Sequence, residues 1–357
     1  MILHNRINKE ILKQQLLESK EKRITLSFYR YLNLTNVQAY RDQLYADFDG
    51  LGVMGRIYVA EEGINAQISV PKENFDAFTE YVDSSKTLSG VRLNIAVERE
   101  GKSFFKLKIQ IRKKIVADGL NDKTFDATKS GKHVSAEEFN QLAHDPNTVI
   151  VDMRNHYESE VGHFKNALLP DVDTFRESLP IVEGLLSDSK EKNIVMYCTG
   201  GIRCEKASAY YKHKGFQNVF QLDGGIIEYV RQVNERGLEN KFIGKNFVFD
   251  ERLGERISDD IISQCHQCGK PADKHTNCKN DGCHLLFIQC DECASKYDGC
   301  CTRSCQEVIQ LPPEEQRKLR ANKDLGRQVF KKGRSEHLIY KSNRTKPKHR
   351  QVTKFEK

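Results

Sequence analysis

Asn193-Ile-Val-Met-Tyr-Cys198-Thr-Gly-Gly-Ile-Arg203 is the stretch on which the reading of this chain turns. Its first five residues form a short apolar, β-prone run. Its end leads straight into Glu205-Lys-Ala-Ser-Ala-Tyr-Tyr211, which is helix-prone. A strand that hands a cysteine to a glycine turn at a helix start is how proteins build an activated thiolate. Helix N-termini and nests of backbone N–H groups stabilise negative charge, and so lower the pKa of a thiol. Cys198 is therefore expected to be a nucleophile, and Arg203 to stabilise an anion. Thr199, Gly200, Gly201 and Ile202 are expected to supply loop amides. Cys204, one residue on, reads as a helix residue rather than a resolving thiol.

The surroundings narrow this. Upstream stand Val149-Ile-Val-Asp152-Met-Arg154, Glu158, Gly162-His163-Phe164 and Ala167; downstream stand Gly215-Phe-Gln-Asn-Val-Phe-Gln-Leu-Asp223-Gly224-Gly225-Ile226. An Asp-x-Arg element, a Gly-His turn, a cysteine loop ending in arginine and a late Asp-Gly-Gly, in that order over about 90 residues, resemble the rhodanese family. Four residues separate Cys198 from Arg203. Rhodaneses resemble this spacing, whereas related phosphatases have a longer loop, and the smaller ring of amides suits a sulfane sulfur better than a phosphate. Asp152, His163 and Asp223 are expected to be structural.

At 357 residues the chain exceeds one comfortable core, so two or three domains are expected. Met1-Ile-Leu-His-Asn-Arg turns polar at once, and no apolar run approaches membrane-spanning length. The expectation is a cytoplasmic protein with no membrane partner. Eleven cysteines in that setting argue for metal sites and reactive thiols over disulfides. The net charge of +7 is unevenly placed: from Gln316 to Lys357 there are 15 Lys/Arg against 3 Asp/Glu. Such a tail suits a polyanion. Phe330, Tyr340 and Phe355 are interleaved with the charges, which favours nucleic acid, with Lys331, Lys332 and Arg334 as candidate contacts.

Periodicity predicts an N-terminal amphipathic helix within 1–22 and a ferredoxin-like (acylphosphatase-like) α+β domain over 23–118. Its strands are expected at 24–31, 55–60, 64–70, 91–97 and 106–111, with helices at 36–49 and 71–82. Lys106, Lys108 and Arg112 alternate with Leu107, Ile109 and Ile111, giving one basic face, a candidate RNA contact, and one core face. Glu61-Glu62-Gly63-Ile64-Asn65 reads as a tight turn, either structural or close to a substrate. Residues 119–145 read as a linker with one short helix. A rhodanese-like parallel α/β domain follows over 146–238, a Cys-rich segment over 239–312 and the basic tail over 313–357.

Nine of the eleven cysteines lie between 265 and 305. Cys265-His-Gln-Cys268 and Cys290-Asp-Glu-Cys293 are paired knuckles, each presenting two thiolates to one metal, so that two knuckles complete a tetrahedron. Structural zinc is expected there. Cys278, Cys283, Cys300, Cys301 and Cys305 are candidates for a second zinc, with His275 and His284 as substitutes. An iron–sulfur cluster is the competing occupant of such thiolates.

With Ala60-Glu-Glu-Gly-Ile-Asn65, Cys198-Thr-Gly-Gly-Ile-Arg203 and His275-Thr-Asn-Cys-Lys-Asn-Asp-Gly-Cys283, the chain to about residue 310 resembles the bacterial rhodanese-domain tRNA uridine hydroxylases. The resemblance implies a tRNA substrate and O2-dependent conversion of the wobble uridine to 5-hydroxyuridine, with Cys198 at the position of the essential cysteine. Uracil C5 reacts poorly until something adds at C6, and a thiolate there would split a hard step into two. A persulfide on Cys198 is the other open form of the sulfur. The chemistry leaves room for a sulfur or electron donor as a further partner, and no flavin or haem motif is present. The competing readings are a sulfurtransferase working on a small sulfur donor and a non-catalytic RNA-binding scaffold. The sequence is silent on oligomeric state.

Overall fold

The structure, a computed structural model, describes residues 11–12, 14, 18–97, 103–121, 125–321, 331–340 and 342. The helix expected near the N-terminus falls mostly outside them; Ile11, Leu12, Gln14 and Glu18 are helical. The chain divides into two compact units. One comprises Met1–Arg154, Thr174–Asn240 and Val248–Glu255; the other comprises Asn155–Asp173, Lys241–Phe247 and Arg256–Lys357. This division cuts across the linear scheme read from sequence, because residues 155–173 belong with the Cys-rich segment.

The first unit opens with β1 (Arg23–Tyr31), α1 (Val37–Gly50), β2 (Met54–Ala60), β3 (Gly63–Pro71), α2 (Phe75–Ser84), β4 (Asn94–Ile95) and β5 (Leu107–Ile111). The sheet order is β4-β1-β3-β2-β5, with only β2 and β5 parallel. The order β4-β1-β3-β2 is that of the ferredoxin-like split fold, and β5 extends it by one edge strand. The period-two pattern buries Leu26, Phe28, Ile57, Val59, Ile64 and Ile68 against Phe48 and Phe78 of the two helices. The β2–β3 turn needs Gly63: its φ is 136°, and a Cβ would sit 2.0 Å from the carbonyl oxygen of Arg30. Two sequence expectations are corrected here. The strand read over 91–97 has only two paired residues, and Ile111, read as core-facing, is exposed where the edge strand ends.

The rest of the first unit is built from β6 (Lys132–Val134), α3 (Ala136–His144) and β7 (Thr148–Asp152). After the excursion of α4 (His156–Ser159) and β8 (Gly162–Phe164) into the second unit, it continues with α5 (Phe175–Leu185), β9 (Asn193–Tyr197), α6 (Ile202–His213), β10 (Asn218–Leu222) and α7 (Gly225–Arg236). The sheet is wholly parallel in the order β6-β10-β9-β7. The stretch read as a linker over 119–145 thus supplies a strand and a helix. α3 starts with a capping box in which Ser135 and Glu138 satisfy each other's backbone N–H groups.

In the second unit, β8 pairs antiparallel with β11 (Phe242–Asn246). A small ribbon of β12 (His275–Asn277) and β13 (Leu286–Ile288) follows, then α8 (Asp291–Lys296), α9 (Arg303–Gln310) and α10 (Pro313–Ala321). No helix among the described residues is long and apolar enough to cross a membrane.

One buried ion cluster fastens α6 to the front sheet. Lys206 Nζ lies 2.9 Å from both carboxylate oxygens of Glu62 and 2.6 Å from Asp118 Oδ2. The side chains of Lys206 and Asp118 are each 1 % exposed. Glu62 Oε1 also accepts the N–H of Ile115, so the Glu61-Glu62-Gly63 turn is structural. Removing Lys206 leaves the buried Asp118 with Lys114 alone, 2.6 Å away, and the part-exposed Glu62 without its cation. Lys206→Ala is expected to cost about 2–3 kcal/mol of stability, read as a lowered denaturation midpoint of this unit. A loss below about 1 kcal/mol, the scale of an ordinary substitution, would show that the cluster is not dry.

Candidate active site

Cys198 leaves the carboxyl end of β9, an interior strand whose residues Ile194 to Tyr197 are wholly buried. The backbone turns at Gly201, with φ of 97°, and enters α6 at Ile202. Two further amides fix the loop from the far side. Ile226 N–H donates to the carbonyl of Cys198 at 3.0 Å, and Ile227 N–H to that of Thr199 at 3.2 Å. Gly225 allows this approach, since a Cβ there would lie 2.5 Å from the Cys198 carbonyl oxygen. With the carbonyls taken by α7, the remaining loop amides turn toward sulfur. Gly201 N–H donates to Cys198 Sγ at 3.2 Å.

Sγ is fully buried, and burial alone pushes the thiol pKa up. Opposing causes outweigh it: the Cys204 thiol donates to Sγ, the Arg203 guanidinium lies nearby, and the N–H groups of Cys204 and Arg203 add to the cradle. The net result is a Cys198 pKa lowered to about 6, against about 8.5 for an ordinary thiol. Cys204 pays the complementary penalty and is pushed well up, by burial first and then by its bond to Cys198. It is thus a fixed S–H donor. Arg203 Nη2 reaches Thr199 Oγ1 at 3.3 Å, and its guanidinium lies over the Phe249 ring at 5.9 Å. Ile202 contributes its carbonyl, 3.4 Å from the Tyr31 hydroxyl.

The front sheet covers the loop. A Cβ at Gly201 would meet the Tyr29 hydroxyl at 2.8 Å, and Asn94 Nδ2 donates to the Gly200 carbonyl at 3.3 Å. The Tyr29 hydroxyl donates to Glu205 Oε1 at 3.1 Å. Glu205 also holds His133 at 2.8 Å and Gln221 at 2.9 Å. Behind the loop, Arg154 and Tyr197 bind the buried Asp152 carboxylate at 2.7 Å each, which makes Asp152 structural. His163 Nδ1 bonds the Phe164 carbonyl at 3.0 Å, and Asp223 pairs with Arg92 at 2.5 Å. Tyr29, Asn94, Glu205 and Lys206 escaped sequence reading. For Lys206 only the fold shows the reason: every residue of α6 from Arg203 to Tyr211 except Glu205 is buried, so a lysine in that run has to be paired.

The candidate RNA contacts fall into two groups. Lys108 and Arg112 lie exposed on or beside the edge strand β5, and Lys106 lies half-buried with its Nζ 5.9 Å from the Phe105 ring centre. Arg112 also bonds Gln110 and lies over Tyr58. The tail residues differ. The Arg334 side chain is 9 % exposed and binds Asp171 and Asp173, while Lys332 Nζ bonds the Tyr157 hydroxyl at 2.9 Å. Both charges thus have partners within the second unit. Lys331 is half-buried and Tyr340 exposed; Phe330 and Phe355 lie outside the described residues.

The cysteines of the second unit gather into two sets of four. Cys265, Cys268, Cys290 and Cys293 form one, and Cys278, Cys283, Cys301 and Cys305 the other, with the sulfurs of each set within 4.8 Å of one another. A tetrahedral ion with metal–sulfur bonds of about 2.3 Å has sulfur–sulfur edges of about 3.8 Å. The pairs Cys268–Cys290 and Cys283–Cys301 stand at 3.6 Å and Cys301–Cys305 at 3.8 Å, so both sets fit a single ion. Cys300 belongs to neither set. It is buried, and its carbonyl accepts from Gln267 and Gln289. His275 and His284 are likewise outside both sets.

Three family models match the chain. They are described as UPF0176 acylphosphatase like domain over residues 23–115, Rhodanese-like domain over 135–232, and Rhodanase C-terminal over 243–306. A curated protein of Yersinia pestis (strain Pestoides F) named tRNA uridine(34) hydroxylase is 58 % identical over 334 residues, covering 93 % of this chain and 94 % of that protein. A protein of the same name from Yersinia enterocolitica is 58 % identical, covering 93 % of this chain and 95 % of its own length. Among solved structures, a rhodanese-like domain protein from Staphylococcus aureus is 26 % identical. It covers 28 % of this chain and 90 % of its own, with a TM-score of 0.24.

The cradle around Sγ makes a measurable claim. The thiolate absorbance difference between wild type and Cys198→Ala should titrate near pH 6. Cys204→Ala, which deletes the S–H donor, should raise that midpoint by about one unit, the scale of one charge-assisted hydrogen bond. An unmoved midpoint would remove Cys204 from the cradle.

Proposed function

The chain belongs to the tRNA uridine(34) hydroxylase family, and on that footing we propose that it hydroxylates the uridine at position 34 of tRNA at C5, with Cys198 as the essential thiolate. The observation that carries the chemical part is a sulfur whose pKa is lowered to about 6 while fully buried. At neutral pH such a group is a ready nucleophile. Addition of Sγ to uracil C6 moves charge onto the C5–C4–O4 unit and makes C5 nucleophilic. In this reading loop amides and Arg203 hold that charge. C5 then attacks O2, the co-substrate, to form C5–OOH, and a two-electron donor with two protons cleaves the O–O bond to C5–OH and water. Loss of the C5 proton and of sulfur from C6 then restores the pyrimidine. A sulfurtransferase working on a small donor gives no account of the front domain, which buries the loop beneath Tyr29 and Asn94.

RNA phosphates are assigned to Lys106, Lys108 and Arg112 on the β5 edge, where sequence-independent charge contacts position a substrate without reading it. A soluble polyanionic substrate of this kind suits a cytoplasmic site of action. Tetrahedral four-thiolate donor sets favour zinc, and we assign one structural zinc to each set. The metals would fold this part of the second unit rather than join the chemistry.

Two measurements bear on this. RNA carrying 5-fluorouridine at the target position, which cannot lose a C5 proton, should form a covalent adduct with wild type and none with Cys198→Ala. Equal trapping by both proteins would contradict the covalent role. Elemental analysis should find two zinc ions per chain, matching the two cysteine sets. Cys305→Ser should lower the zinc content toward one, and Cys300→Ser should leave it unchanged; iron with visible charge-transfer bands would overturn the zinc assignment.

A further inference from the structure

The front sheet has two faces, and only one of them meets α1 and α2. Leu26, Phe28, Ile57, Val59, Ile64 and Ile109 belong to that core face. Period-two alternation turns the residues between them to the other side. The pairing registers set five of those residues in one row across the sheet: Asn94 beside Ser27, Ser27 beside Gln67, Gln67 beside Arg56, and Arg56 beside Lys108. A second row holds Tyr29, Asn65, Tyr58 and Gln110.

The first row is graded. Asn94 is buried, Ser27 and Gln67 are half-buried, and Arg56 and Lys108 are exposed. Its buried end touches the cysteine loop. Asn94 Nδ2 donates to the Gly200 carbonyl at 3.3 Å, and a Cβ at Gly200 would stand 3.6 Å from Ser27 Oγ. A cavity of about 60 Å³ continues that contact, with Ser27, Gln67 and Asn94 lining it from the sheet and Thr199 from the loop. The exposed end is cationic. Arg112, just past β5, lies 5.4 Å from the Tyr58 ring centre and bonds Gln110 at 3.0 Å, which sets a third exposed cation on this side. None of the residues that the five strands place on this face is acidic. Cations at the open edge and neutral amides toward a nucleophile fit a polyanion that brings a neutral group to that nucleophile.

We propose that this face carries the RNA strand next to the target nucleotide, with Arg56, Lys108 and Arg112 on its phosphates. The assignment rests on the tRNA hydroxylase reading. It adds Arg56 as a contact and gives the route by which the strand reaches the loop. Neighbouring strands lie about 4.8 Å apart, so the row spans about 19 Å. That is the length of a few nucleotides rather than of a tRNA arm, so the occupant is the single-stranded anticodon loop and not the tRNA body. Phosphate contacts fix the register of a strand without reading it, and an open sheet face is a recurring platform for single-stranded RNA. Tyr58 is a positioning residue, because its ring holds the Arg112 guanidinium over the face.

The test uses the full-length protein with a whole tRNA substrate and with the anticodon stem-loop alone. Arg56→Gln is expected to reduce the slope of log affinity against log salt by about 0.7 on both RNAs, the share of one phosphate on a single strand. KM for hydroxylation should rise about fivefold, the scale of one hydrogen bond at an exposed site, with kcat and the Cys198 titration unmoved. Arg56→Lys keeps the charge and should restore the slope. Arg56→Gln combined with Lys108→Gln should reduce it by about 1.4, two such shares. An unmoved slope in the double variant overturns the proposal. So does a loss seen with whole tRNA and absent with the stem-loop, which would place these cations against the tRNA body. Hydroxylation of the stem-loop by the wild type separates the two ideas. Hydroxylation with an unmoved slope in the variants rejects the face alone. The expected slope changes without any hydroxylation by the wild type reject the hydroxylase reading.

Discussion

A charged sulfur kept away from water is the constraint around which the first unit is arranged. Burial works against a thiolate, and here it is the largest influence on Cys198. Only concentrated opposing forces reverse it: a second thiol as donor, a guanidinium, and N–H groups at the start of α6. Each of these needs support. α7 has to take the loop carbonyls so that the amides face inward, which demands glycine at 225. Arg203 is steadied by Thr199 and Phe249. The front sheet then seals the loop with Tyr29 and Asn94, and the Lys206 cluster fixes α6 to that sheet.

Much of this could be read from the chain itself. The Cys198 loop, the strand before it and the helix after it follow from local rules, because a β-prone run, a glycine turn and a helix start are all short-range features. The paired cysteine knuckles are legible for the same reason. What escaped was set by tertiary partners. β6 is three residues long and gains its identity only by pairing with β10. The charges of Lys332 and Arg334 look like a solvated basic tail in one dimension. In three dimensions they meet Tyr157, Asp171 and Asp173, more than 150 residues upstream. Cys300 looks as ligand-like as Cys301, yet only Cys301 points its sulfur at the other three.

The same contrast applies to Asn94. It stands in a two-residue strand that sequence reading made too long, and nothing in its neighbours marks it. Its importance comes from the pairing of Asn94 with Ser27 in the sheet and from its contact with Gly200. Front domain and cysteine loop thus act as one site: the loop supplies a thiolate, and the sheet supplies its cover. The second unit has a separate logic, in which two sets of four sulfurs stand where a small polar segment would otherwise lack a core.

The central claim is that the Cys198 thiolate carries out hydroxylation of tRNA. The most direct measurement is nucleoside mass spectrometry of bulk tRNA from cells whose only copy of this protein carries Cys198→Ala, compared with cells carrying the wild type. The account predicts that 5-hydroxyuridine and nucleosides derived from it fall to the level of a deletion strain. Wild-type levels of those nucleosides in the Cys198→Ala cells, with the protein present and folded, would contradict it.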